Sequence, residues 1–329
     1  MGRSTSGQPD EIGFGGLQLT QGQGFRFGID AILLAAFAAG ETGGIGIRNT
    51  LRRADSNRRG AQFAPSICDM GCGSGIVSLI LSHKIPNSTI TGVEIQAEEA
   101  ARAAENVARN HLTHRIRIIS SDILDMKNAI RRTSEETSQD EHAEKSEASI
   151  SPYEAEQKPE APEAQCETEP NPEATVTQAE AQSSVKPAGR ISKHLFDVVV
   201  TNPPYFRRGG AIPNAATGKY IARHETTATT GDFIRVASSL LPDGGDFFMV
   251  HRPDRLVDIC TAMRHHRLEP KELQMVTPHP GEPANILLIH GIKGAGPELR
   301  MLPNISVRDQ DGEYTSLIHR IYERDEVCL

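Results

Sequence analysis

The chain has 329 residues, with 35 Lys and Arg against 43 Asp and Glu and a formal net charge of -8. That balance excludes a protein coated all over in basic charge. The five cysteines, Cys68, Cys72, Cys166, Cys260 and Cys328, are odd in number and complete no zinc-type pair, which points to a reduced, cytoplasmic setting. No apolar signal segment is read at the start, and Ala31–Ala39 is too short to cross a bilayer, so no membrane partner is expected.

The first patterned stretch is Gly24–Ala36. Phe25 and Phe27 alternate, and Ile29–Phe37 is then apolar at helical spacing, with Asp30 in its first turn. Residues 40–65 read as irregular and carry Arg48, Arg52, Arg53, Arg58 and Arg59, either a solvated loop or a phosphate-contacting patch. Strands are expected at Ile67–Met70, Thr89–Ile95 and Arg115–Ser120, with helices at Ile76–His83 and Ala97–Asn110 between them. Residues 131–190 change character, with 14 acidic and 6 basic side chains and six prolines scattered without period. We read 129–190 as a disordered acidic insertion, since such a segment cannot bury enough apolar surface to offset its ordering entropy. The remainder is then close to neutral.

Beyond it, Phe196–Thr201 is a near-continuous apolar strand. Phe233–Leu241 is a helix stopped by Pro242-Asp243-Gly244-Gly245. A strand at Asp246–His251, a helix at Pro253–His266 and strands at Glu272–Thr277 and Ile286–Ile292 complete the pattern. Alternation of this kind implies an α/β fold, a mostly parallel sheet with helices on both faces, formed by a single domain over 1–329.

Two motifs carry the chemistry. Asp69-Met70-Gly71-Cys72-Gly73-Ser74-Gly75 sits between a strand and a helix, where doubly wound sheets bind ligands. Its spacing is neither that of dinucleotide sites nor that of a P-loop, and a carboxylate before the first glycine suits a cationic ligand such as S-adenosyl-L-methionine. Glu94, at the end of the next strand, is placed to take ribose hydroxyls. Asp122, after the third, is placed either to accept from an adenine amino group or to cap a helix.

Thr201-Asn202-Pro203-Pro204-Tyr205-Phe206 is the sharper signal. Two prolines fix φ and remove backbone donors, and Pro203 forces Asn202 to be extended. The product is a stiff ledge of acceptors beside an aromatic ring. A base amine has its lone pair delocalised into the ring. Two acceptors, Asn202 Oδ1 and the Pro203 carbonyl, would draw its hydrogens out of plane and expose the nitrogen to a methyl donor. Tyr205 would stack on the extruded base. Arg207, Arg208, Lys219 and Arg223 follow, around Gly209-Gly210, as a basic segment suited to RNA phosphates. His224 and Glu225 have no evident third partner, so no metal is expected.

Taken in order, Asp69–Gly75, Glu94, Asp122 and Asn202–Tyr205 resemble the class I methyltransferases of the Asn-Pro-Pro-Tyr amine group. Gly24–Leu34, Ala222–Glu225 and Arg308–Tyr314 make the chain most similar, within that group, to bacterial tRNA(Val) adenine N6-methyltransferases. The resemblance covers about residues 12–128 and 191–324. It implies a Rossmann-like, seven-stranded, mostly parallel sheet. It also implies a lid from residues 12–40 over the methionine end of the cofactor, with Asp30 near it, and S-adenosyl-L-methionine held by Asp30, Asp69, Gly71, Gly73, Gly75, Glu94, Asp122 and Asn202. Catalysis would fall to Asn202, Pro203, Pro204 and Tyr205. Substrate contacts would come from Tyr205, Phe206, Arg207, Arg208, Lys219 and Arg223, and the partner would be tRNA, methylated at adenine 37, by a monomer. Protein glutamine N5-methylation and other DNA or rRNA amino-methylation use the same ledge. A catalytically silent RNA-binding protein on this fold is the alternative outside enzymes, and both motifs are complete, which argues against it.

Overall fold

The computed structural model describes residues 10–22, 28–47, 64–126, 195–204 and 228–323. The acidic insertion, the arginine-rich stretch, and the segment from Tyr205 to Thr227 lie outside the described residues.

The chain opens with two short paired strands, β1 (Asp10–Glu11) and β2 (Gln18–Leu19), followed by helix α1 (Ile29–Ala39). Next come β3 (Ser66–Met70), α2 (Ile76–Lys84), β4 (Thr89–Glu94), α3 (Ala97–Arg109) and β5 (Ile116–Ser120). After the insertion follow β6 (Val198–Thr201), α4 (Thr230–Leu240), β7 (Asp246–His251) and α5 (Leu256–His265). The last elements are β8 (Leu268–Thr277), β9 (Ile286–Lys293), β10 (Arg300–Met301), β11 (Ile305–Ser306) and α6 (Ser316–Ile321).

The main sheet runs β10-β8-β9-β7-β6-β3-β4-β5, with β11 also on β8. Strands β5, β4, β3, β6 and β7 are mutually parallel, and β9 enters antiparallel between β7 and β8. Seven of these strands were legible. The other two, β10 and β11, make the sheet nine-stranded, and each adds only two residues beside β8. The expected helix at Pro253–His266 divides into a 3₁₀ turn, Pro253–Arg255, and α5.

Alternation along the central strands feeds two apolar layers. Ile67, Val198, Val200, Phe248 and Val250 face a layer containing α1 and α2. Cys68, Met70, Val199, Phe247 and Met249 face one containing α4 and α5. Strands buried on both sides must be apolar throughout, which is why they lack the period-two signature of a half-wet sheet. Helix α1 is buried from Ala31 to Ala39, so it is a core helix. It stops at Gly40, whose φ of 81° lets its N–H reach the Phe37 carbonyl while Glu41 N–H reaches that of Ala36. Helix α4 starts in a reciprocal cap. Asp232 N–H donates to the Thr229 hydroxyl at 3.2 Å, and Thr229 N–H donates to Asp232 at 2.9 Å, an arrangement typically worth about 1 kcal/mol.

A buried charged cluster ties β7, β8 and β9 together. His290 Nε2 lies 2.8 Å from Asp246 Oδ1, and its Nδ1 lies 3.6 Å from Glu272. Glu272 also pairs with Arg300 and accepts the Ile45 N–H at 2.9 Å, which fastens the loop after α1 to the sheet. Burial works against charge on Glu272, but the neighbouring His290 ring, Arg300 and the Ile45 N–H outweigh it and hold its pKa at about 2. Burial likewise opposes a charged His290, and Asp246 and Glu272 overcome it, so its pKa is raised.

Candidate functional site

The carboxyl ends of β3, β4, β6 and β7 lie side by side, and the motif residues gather there. The loop after β3 bends through Gly71, Gly73 and Gly75, with φ of 73°, 53° and 86°. L-residues with a Cβ resist that region by roughly 1–2 kcal/mol each. A Cβ at Gly73 would meet nothing within 4 Å, so the backbone there is a bare surface that a ligand can approach. At Gly75 a Cβ would sit 3.3 Å from that of Ala103, so this glycine serves the packing of the loop on α3.

Two carboxylates bracket the loop. Glu94 accepts from Gly73 N–H at 3.0 Å and from Gln96 N–H at 2.9 Å. Burial raises its pKa, and those backbone donors hold it back. Asp69 is 1% exposed and accepts from Ser78 Oγ at 2.7 Å. Burial, opposed by the Ser78 bonds and reinforced by Glu94, raises its pKa to about 7. Asp69 is thus a buried carboxyl bonded to the first turn of α2. The cysteines beside it, Cys68 and Cys72, are buried thiols with raised pKa, burial being the main cause, and this argues against nucleophilic roles.

The ledge begins where β6 ends. Thr201 Oγ1 donates to the Met70 carbonyl at 2.9 Å, which ties the base of the ledge to the residue preceding Gly71. Asn202 is half-buried, Pro203 is buried and Pro204 is exposed. Asn202 Nδ2 donates to Asp30 Oδ2 at 3.3 Å, across 172 residues of sequence. The structure thus forms two adjoining groups, one of Asp69, Gly71, Gly73, Gly75 and Glu94, the other of Asp30 and Asn202. Asp122 stands beyond β5 and accepts the Leu124 N–H at 2.9 Å, a local turn bond. Tyr205, Phe206, Arg207, Arg208, Lys219 and Arg223 lie outside the described residues.

Three residues near the site escaped the sequence reading. Asn106, 0% exposed on α3, accepts the Thr20 N–H at 2.8 Å and donates to the carbonyls of Thr20 and Ser74 at 3.0 Å each. One turn later Asn110 accepts from Gln18 N–H at 2.9 Å and donates to its carbonyl at 2.7 Å. His251, at the end of β7, accepts the Arg252 N–H at Nδ1 at 2.8 Å, and Thr230 Oγ1 lies 3.3 Å from Nε2. That leaves Nε2 to carry the proton of a neutral ring. Burial lowers its pKa to about 4. His251, Asp30, Ile29, Asn285 and Ile286 line a cavity of about 150 Å³ beside the ledge. A polar residue at the carboxyl end of a parallel strand was the available signal for His251. Among the described residues no group of His, Cys, Asp or Glu is placed to hold a metal, and no helix is long and apolar enough to cross a membrane.

Comparison with known proteins agrees with this architecture. A methyltransferase domain model matches residues 67–134, from β3 through the loop and past β5. Over 90% of its length the chain superposes on 96% of a solved protein from Agrobacterium tumefaciens, described as a predicted O-methyltransferase, with a TM-score of 0.52 at 17% identity. The fold is that of the class I, Rossmann-like methyltransferases. Among curated proteins it is similar to a tRNA1(Val) (adenine(37)-N6)-methyltransferase of Porphyromonas gingivalis, 26% identical over 81% of this chain and 74% of that protein. A protein of the same name from Bacteroides thetaiotaomicron is 22% identical over 90% of both.

Proposed function

We propose that this chain methylates the exocyclic N6 of an adenine in tRNA, at position 37 of a valine tRNA, with S-adenosyl-L-methionine as donor. The observation that carries the reading is the ledge at Asn202, joined through Thr201 to the glycine loop. The names of the similar tRNA-modifying proteins support the substrate.

The residues present suit such a donor. Gly73 offers open backbone, and Glu94 and Asp69 offer negative charge beside it. When bound, S-adenosyl-L-methionine supplies an electrophilic methyl on a sulfonium. Asp69 and Glu94 stabilise positive charge in a poorly solvated site, where electrostatic interactions are strong. Asn202 Oδ1 and the Pro203 carbonyl accept the two amine hydrogens, which turns the nitrogen lone pair towards the donor. No strong general base is needed before attack, because the methylated nitrogen is acidic enough to lose its proton afterwards. His251, neutral and without easy access to a second proton, suits contact with an uncharged base. Tyr205, by its place next to the ledge, stacks on that base, and the basic residues after it hold RNA phosphates. Catalysis then comes chiefly from holding amine and methyl in line.

The test is methyl transfer to tRNA, read by nucleoside mass spectrometry. Asn202→Ala should lower turnover by about 100-fold or more, the scale of losing one positioned polar contact to a reacting group. Full activity in that variant, or transfer to a release-factor glutamine in place of tRNA, would defeat the reading.

A further inference from the structure

We infer that Asp30 is a positioning residue, which holds the Asn202 side chain in the one amide orientation that presents oxygen to the substrate amine. The inference rests on the methyl-transfer reading above and adds a residue to it.

An asparagine amide has two faces of opposite polarity. Turned one way, Oδ1 meets the substrate N–H groups. Turned the other way, Nδ2 meets them, donor against donor. The two arrangements are of similar shape, and nothing in the prolines after Asn202 chooses between them. Asp30 chooses. A carboxylate only accepts, so at 3.3 Å from Asp30 Oδ2 the amide must present Nδ2. Oδ1 is then the arm turned away from α1.

Asp30 is itself held for this task. Its other oxygen, Oδ1, accepts the Ala31 N–H at 3.0 Å. It stands in the first turn of α1, at the end where the backbone N–H groups point outward. The rest of α1 is buried in the core, so the carboxylate has a rigid mount. Gly28 supplies an independent sign. Its backbone is extended, with φ of -91°, so no turn requires a glycine there. Yet a Cβ at that position would lie 2.4 Å from Asp30 Oδ1. Glycine at 28 is what leaves the Asp30 carboxylate room for this rotamer.

The experiment compares Asp30→Ala, Asp30→Asn and Gly28→Ala in the full chain, measuring kcat with tRNA and the Kd for S-adenosyl-L-methionine by calorimetry. Circular dichroism confirms folding of each. Asp30→Ala should lower kcat by 10- to 100-fold with the cofactor Kd changed less than threefold. Asp30→Asn can still turn an oxygen towards Asn202 Nδ2, so it should recover at least a third of the wild-type kcat. Gly28→Ala should mimic Asp30→Ala without altering either partner. Combining Asp30→Ala with Asn202→Ala should cost no more than Asn202→Ala alone. The inference is overturned if Asp30→Ala turns over normally while Asn202→Ala is inactive, which leaves the methyl-transfer reading intact. It is also overturned if Asp30→Asn is as impaired as Asp30→Ala and weakens cofactor binding more than tenfold, since Asp30 would then act by its charge on the cofactor. Full activity in Asn202→Ala overturns the functional reading itself.

Discussion

Glu94 and Gly73 are joined by a 3.0 Å hydrogen bond from the glycine N–H to the carboxylate, so the acid at the end of β4 is a strut of the glycine loop. Its second oxygen accepts from Gln96 N–H. Both oxygens must therefore be acceptors. Glu94→Gln replaces one of them with an amide NH2 that faces a backbone donor. The expected loss is about 1–3 kcal/mol in the thermal stability of the free protein, the usual cost of a buried donor left unmatched. Cofactor affinity should fall by about tenfold, roughly 1.4 kcal/mol. A variant that melts and binds like wild type would show that Glu94 does not support the loop.

Cofactor binding is expected to depend on pH through Asp69. Burial is the main cause of its raised pKa of about 7, against an ordinary value of 3.8. For a group raised on folding, the stabilising contribution is complete below the unfolded value and is lost as pH rises through the folded one. The melting temperature of the free protein should therefore fall between pH 3.8 and about 7 through this group. In Asp69→Asn that component should vanish. A cationic ligand favours the carboxylate and draws its pKa down, so binding near neutral pH should release a proton. Calorimetry in two buffers of different ionisation heat reads that release directly. Equal apparent enthalpies would contradict it.

His290 is the keystone of the buried cluster on β7, β8 and β9. His290→Leu leaves Asp246 and Glu272 without their shared partner and should destabilise the protein by about 3 kcal/mol. Because the pKa of His290 is raised, its contribution is full below pH 6.5 and declines as pH rises through the folded value. The gap between wild type and variant should therefore narrow in alkaline buffer. Glu272, held at about 2 from an ordinary 4.5, behaves in the opposite sense, and its contribution is lost as pH falls below 4.5. Denaturant titrations at several pH values check both. A gap that widens above pH 6.5 would reverse the assignment.

Most of the architecture was written in runs of neighbouring residues. Val198–Val200 and Phe247–Val250 are buried on both faces, so their apolar continuity named them as central parallel strands. The glycine loop declared itself because three positive-φ positions demand three glycines. What escaped lacked a local signature. Strands of two residues, such as β10 and β11, have no period to detect. The contact between Asp30 and Asn202 spans most of the chain, and each residue looks ordinary alone. Asn106 and Asn110 read as polar positions on an amphipathic helix, although Asn106 is wholly buried. The start of β6 was placed two residues early because Leu195 and Phe196 give their N–H groups to the Leu240 carbonyl at the end of α4 and not to a neighbouring strand.

The two asparagines of α3 have a wider meaning. Four residues apart, they give Gln18 and Thr20 the donor and acceptor pairs that a neighbouring chain would otherwise provide. The N-terminal ribbon is hence stitched to a helix, and it does not compete for either rim of the sheet. Changes in length between Asp10 and Gln18 should disturb the burial of Phe14 in the core, yet pass without shifting the alignment of the strands that carry the chemistry.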